Sequence, residues 1–144
     1  MKEPLFSLVG GLPTLEKVHK IFYDKVYVHP WLGKFFEGHN QEAIEQRQTA
    51  FMAEKMGGEV NYMGKMPKMA HRQMYITQEL FDVRRQLLIE SLLEAAVPNE
   101  LAERWLRIDE AFMKAIVKPS IEAFYKDTFK YETRVIIPKP KDGC

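Results

Sequence analysis

The sequence of 144 residues has a single cysteine, Cys144, so no intramolecular disulfide can form and a reducing cytoplasm is the expected compartment. Charge of one sign is also missing. Lys and Arg number 21 against 20 Asp and Glu, a formal net charge of +1. That balance gives no electrostatic case for a nucleic acid or a membrane surface as partner. No apolar run approaches the roughly 20 residues of a membrane-spanning helix. No long apolar stretch follows Met1, Lys2, Glu3, Pro4 and Leu5, so no secretory leader is expected. Internal repeats and convincing strand pairs are absent too. What is present is a globular composition, 46% hydrophobic and 28% charged, at a length that fits one domain with a real core.

Periodicity points to an all-α chain. Gly10-Gly11-Leu12-Pro13-Thr14 reads as a break followed by a helix start. Leu15, Val18, Phe22 and Val26 then recur at helical spacing as one apolar stripe, with Tyr23 at its edge. His29-Pro30 ends that helix, because the residue before proline is driven out of helical backbone. Residues 31–36 form a short apolar connector and 37–40 a turn. A second long helix is predicted over 41–56, with Ile44, Gln48, Phe51, Met52 and Lys55 on its inner stripe. Gly57-Gly58 stops it, residues 59–65 read as an irregular loop, and a short helix carrying His71 follows Pro67. Thr77 is an N-cap for a helix running to Ala96 through Leu80, Phe81, Leu87, Leu88 and Leu92. Pro98 opens another, through Leu101, Trp105, Ile108, Phe112 and Ile116, which Lys118-Pro119 breaks. A last helical piece is expected over 124–129. The domain is placed at 1–127, and 128–144, with Pro138, Pro140 and several lysines, reads as an extended tail.

Three polar residues stand out against this apolar pattern. His71 lies in Pro67-Lys68-Met69-Ala70-His71-Arg72-Gln73-Met74, poor in acids and rich in soft side chains. It is either a partly exposed helix histidine or an imidazole offering a nitrogen lone pair to iron. Tyr23 is either a core tyrosine bonded to a backbone acceptor or a phenol donating to a small bound ligand. Gln48 on an apolar stripe is harder to account for, since a buried amide without a partner costs about 1–3 kcal/mol. Tyr23 and Gln48 could also satisfy each other. The methionines invite a separate reading. Six of the eight fall between Met52 and Met74, and Met63, Met66 and Met69 are spaced by three just before His71. Thioether plus imidazole suits Cu(I). Methionine filling an irregular apolar pocket, in a segment wedged between core helices, is the reading preferred here.

The order of these features resembles the truncated haemoglobins, and within them the group I type, over residues 5–117. The resemblance rests on Gly10-Gly11, Phe22-Tyr23, His29-Pro30-Trp31-Leu32, Phe35-Phe36, Gln48 with Phe51, and Gly57-Gly58. It continues through Tyr62-x-Gly64, His71, and Ile76-Thr77 leading to Phe81. The two glycine pairs, the Phe-Tyr pair and the histidine after the second pair are together far more specific than any one of them.

The resemblance implies a truncated globin-like two-over-two helical sandwich around haem b. It implies His71 as the iron ligand, and Tyr23 and Gln48 as hydrogen-bond donors to bound dioxygen. Phe36 would stack on the haem, and Phe35, Ile44, Phe51, Met66, Ile76 and Phe81 would line its pocket. Arg47 is placed for a haem propionate, with Tyr62 as a second candidate. Dioxygen, nitric oxide and carbon monoxide would be ligands of a pentacoordinate or labile six-coordinate iron. Oxygen transport, nitric oxide dioxygenation with a partner reductase, and peroxidase-like turnover are the implied activities. A gas sensor or carrier acting through a partner, and the copper protein, are the alternatives.

The chain departs from the family pattern at three places. Arg84 falls on an inward stripe where an apolar residue is usual, which leaves either an arginine reaching around the haem edge or a slightly rotated helix. Met52 stands where some members have phenylalanine, and the segment after Pro119 is longer than the family needs. His19 and His39 are further imidazoles, either able to coordinate iron in a six-coordinate state, but expected instead to be exposed on a helix flank and a turn.

Overall fold

The computed structural model describes residues 3–64, 66, 71–128 and 134–140, apart from the Asp127 side chain. Its helices are α1 (Leu5–Val9), α2 (Leu12–Val28), α3 (Gln41–Lys55), α4 (Gln78–Glu94), α5 (Asn99–Met113) and α6 (Ile121–Asp127). Short 3₁₀ turns occupy Leu32–Phe36 and Lys114–Ile116. Among the described residues there is no strand, only two isolated parallel bridges, Met74 to Val135 and Ile76 to Val117. None of these helices is long and apolar enough to cross a membrane.

Each boundary has a local cause. Gly10 closes α1 at φ 112, and a Cβ there would collide with the Thr14 hydroxyl, so only glycine fits. α2 begins with Pro13 in its first turn and ends at His29, whose backbone is extended (φ −70, ψ 131) because Pro30 follows. The His29 Nδ1 then accepts from the Trp31 and Leu32 amides at 3.1 and 3.2 Å, which starts the 3₁₀ turn. Side-chain caps start three helices. Asn40 accepts from Ala43 N at 2.9 Å, Thr77 from Leu80 N at 3.1 Å and Ser120 from Ala123 N at 3.0 Å.

The core follows the predicted stripes. Leu15, Val18, Phe22 and Val26 of α2 are buried with Met52 and Ala53 of α3, Leu80, Leu88 and Leu92 of α4, and Trp105 of α5. α2 packs on both α3 and α4, and α4 packs on α5, so two helix pairs are layered two over two. The short helix expected over 67–70 lies outside the described residues, and His71 itself sits in a turn.

Residues 134–140 are extended but not detached. Tyr75 N donates to the Val135 carbonyl at 2.8 Å, and Val135 N donates to the Gln73 carbonyl at 2.7 Å. The Trp31 indole N–H donates to the Ile137 carbonyl at 2.8 Å, and Lys139 pairs with Glu79 at 2.5 Å. This stretch is thus laid along the segment that leads from His71 into α4.

Because Leu15 is fully buried where α2 meets the core, Leu15→Ala should cost about 2–5 kcal/mol of folding free energy in urea titration. A loss well below 1 kcal/mol would mean that the α2 face is not packed as described.

Candidate functional site

A cavity of about 250 Å³ opens among α2, α3 and α4. Phe22, Tyr23 and Val26 reach it from α2, Leu32, Phe35 and Phe36 from the 3₁₀ turn, and Ile44, Arg47 and Gln48 from α3. His71, Met74 and Ile76 come from the segment before α4, and Leu80, Phe81 and Arg84 from α4 itself. Tyr62 and exposed His39 also border it, and Met113 and Ile116 close it from the end of α5. Met113 was not singled out from the sequence, although it continues the α5 stripe one turn past Asp109.

Phe51 and Met66 are not among the lining residues. Phe51 is buried behind the wall, edge-on to Tyr62 at 5.2 Å and to Phe112 at 5.4 Å. It buttresses the Tyr62 ring. Met66 is 43% exposed and Met63 91% exposed. The methionine segment is therefore not wedged between core helices at these two positions, because the irregular stretch after α3 presents no apolar face to bury. Met69 lies outside the described residues.

The cavity is apolar apart from a few groups. Tyr23 is 5% exposed and its ring packs edge-on against Phe22 at 4.9 Å and Phe36 at 6.0 Å. Its hydroxyl bonds to no protein group among the described residues, and neither does the half-buried Gln48 amide. The two do not satisfy each other. Burial holds the phenol above its ordinary range, outweighing the nearby Arg84 charge, so Tyr23 stays a protonated donor. Polar groups left in this state cost about 1–3 kcal/mol each unless a ligand or water completes them. His71 stands on the same cavity, and its carbonyl is held by the Met74 amide at 3.0 Å and by Lys118 Nζ at 3.2 Å.

Behind Tyr23 lies a second, satisfied set of polar groups. Arg84 is inward-facing, so α4 is not rotated to expose it. Its guanidinium donates to both Asp109 oxygens, at 2.7 and 2.9 Å, with side chains 12% and 3% exposed. Burial works against the Arg84 charge, and the Asp109 carboxylate outweighs it, so the pKa is raised. His19, expected to be exposed, is only 2% exposed; it lies 2.7 Å from the Thr49 hydroxyl and packs edge-on against Trp105 at 5.8 Å. It does not line the cavity. Asp109 escaped the sequence reading, although Trp105, Asp109 and Met113 are spaced by four and so share the buried face of α5.

The donor set discriminates between metals. No group of three or more His, Cys, Asp or Glu comes together among the described residues, so no site of those ligands cages a bare ion there. A macrocycle that carries four nitrogens of its own needs only one axial imidazole, apolar walls and a polar rim. His71, the phenylalanines and exposed Arg47 fit that requirement.

Comparison with known proteins gives a consistent picture. A sequence profile for bacterial-like globins matches residues 4–118. The chain is 32% identical over 96 residues to group 1 truncated hemoglobin GlbN of Mycolicibacterium paratuberculosis, covering 67% of this chain and 71% of that one. It is 29% identical over 102 residues to group 1 truncated hemoglobin LI410 of Chlamydomonas moewusii, covering 69% of this chain and 60% of that relative's length. In fold it is similar to the Fe(III) form of truncated hemoglobin from Tetrahymena pyriformis, with a TM-score of 0.74 at 23% identity. That match covers 80% of this chain and 98% of the other.

Burial of His19, and next to it the Arg84 charge, lowers its pKa from 6.5 to about 3. Between those values the unfolded chain binds a proton that the folded chain refuses, so stability falls as pH drops through the window. The slope from this one group reaches about 1.4 kcal/mol per pH unit. Urea titrations at pH 7 and pH 5 should show His19→Gln less sensitive to acid than the wild type. Equal sensitivity would contradict the buried, neutral imidazole.

Proposed function

The chain belongs to the bacterial-like globin family, among the truncated haemoglobins, and on that premise we propose that it holds haem b through His71 and binds dioxygen beside Tyr23 and Gln48. The observation that carries this reading is a pair of polar side chains, a phenol and an amide, without hydrogen-bond partners among the described residues, in an apolar cavity that also presents a histidine. Haem, when bound, supplies a ferrous iron with a vacant position for a diatomic gas.

The residues divide the work. His71 offers the imidazole nitrogen, on a backbone held by Lys118 and Met74. Phe35, Phe36, Ile44, Ile76 and Phe81 exclude water and lower the local dielectric, which would protect a bound haem from oxidation. In that medium a hydrogen bond from Tyr23 or Gln48 to a polarised ligand is stronger than in water. Tyr23 keeps its proton at Oη because burial raises its pKa. Arg47, exposed at the rim, is the propionate partner, and Tyr62, buttressed by Phe51, is a second one.

Two donors retain dioxygen and favour its use over simple carriage. The reaction we assign is conversion of nitric oxide to nitrate. Nitric oxide, dioxygen and one electron balance nitrate, so each turnover requires a one-electron donor, the role we assign to a partner reductase. The single cysteine and even charge suit a cytoplasmic setting for it.

Absorption spectra of ferric, dithionite-reduced and carbon-monoxide-bound protein should show a Soret band that shifts at each step. Absence of the band after haemin addition would remove the haem reading. His71→Ala should lose haem on gel filtration while the wild type retains it. In stopped flow, Tyr23→Phe should keep haem and release dioxygen roughly tenfold faster or more, the effect of one lost hydrogen bond of about 1.4 kcal/mol. An unchanged off-rate would reject Tyr23 as a donor.

A further inference from the structure

The Arg84–Asp109 pair is oriented with respect to the cavity. Arg84 lines it, beside Tyr23 and 5.3 Å from the Phe22 ring centroid, whereas Asp109 does not line it. The pair is therefore a buried dipole whose positive end faces the ligand space. Neighbouring His19 is neutral over the ordinary pH range and adds no charge of its own. A buried ion pair is weak evidence for a stabilising role, because replacing one by apolar residues of similar volume is often neutral or stabilising. An arginine is also permanently charged, so the field is present at every working pH.

We propose that Arg84 sets the ligand class of this cavity, making it a site for small anions such as azide, nitrite or a deprotonated peroxide as well as for neutral gases. The proposal rests on the haem reading above, since the anion would bind at the iron position beside Tyr23. Arg84 acts on the ligand's charge and not on the packing that neutral gases experience. Asp109 acts in the opposite sense by neutralising part of that field.

The test is azide binding to the haem-loaded ferric protein, read from the Soret shift, with carbon monoxide binding to the ferrous protein as the neutral control. Arg84→Met should weaken azide by roughly tenfold or more, the scale of a lost interaction with a charged group, with carbon monoxide affinity as in the wild type. Asp109→Asn should strengthen azide, because it unmasks the cation. A purely structural pair would instead make both variants bind azide less well. Should Asp109→Asn fail to fold, the double variant Arg84→Met with Asp109→Leu removes both charges at once and should bind azide less well than the wild type but better than Arg84→Met, which leaves the Asp109 carboxylate unopposed. Azide affinity unchanged in Arg84→Met, or azide and carbon monoxide falling in parallel, would overturn the proposal while leaving the haem reading intact. A wild type with no Soret band would overturn both.

Discussion

The packing of α2 on two neighbours at once is the constraint on which the rest depends. Its apolar face has to close against α3 on one side and α4 on the other. Leu15, Val18, Phe22 and Val26 meet that demand and are nearly inaccessible to water. A helix that packs on two partners leaves a wedge between them. In this chain the wedge is kept open by the bulk of Phe22, Tyr23 and Phe36, whose rings meet edge to face. The cavity is thus a consequence of how the core closes, and Tyr23 is the residue at the seam.

The polar groups buried around that seam fall into two energetic kinds. Arg84 with Asp109, and His19 with Thr49, are paired at hydrogen-bonding distance. Their cost is met within the protein. Tyr23 and Gln48 are not paired to protein among the described residues, and both face the cavity. The buried Trp105 indole N–H also lacks a hydrogen-bond partner among the described residues but does not line the cavity, whereas Tyr23 and Gln48 leave their hydrogen-bonding capacity open where a ligand would sit. The paired groups shape the field in that same space, because the Arg84 end of its ion pair is the end turned toward it.

Much of this was legible in the sequence, for a physical reason. Stripes at helical spacing report burial directly, and the α2 stripe and the Thr77 cap are where periodicity and capping chemistry put them. Glycine pairs and His29-Pro30 mark boundaries because backbone sterics act locally. What was not legible depends on partners distant in sequence. His19 reads as a flank residue until Thr49 and Trp105 are seen beside it. Asp109 reads as a surface acid until Arg84 reaches it from another helix. The pairing of Val135 with Gln73 and Tyr75 leaves no trace in local periodicity, so residues 134–140 read only as an extended tail. The short helix α1 is too brief to show a period of its own. The methionine run misled in the opposite direction, since apolar character does not bury a segment that has no regular face.

The central claim is the proposal that His71 binds iron in this cavity and that Tyr23 and Gln48, unpaired among the described residues, donate to the same ligand. A crystal structure of the haem-loaded protein with a bound diatomic tests this most directly. The account predicts the His71 imidazole on the iron, and Tyr23 with Gln48 on the other haem face within hydrogen-bonding reach of the ligand. Iron held by a residue other than His71, or Tyr23 and Gln48 turned away from the ligand, would contradict it.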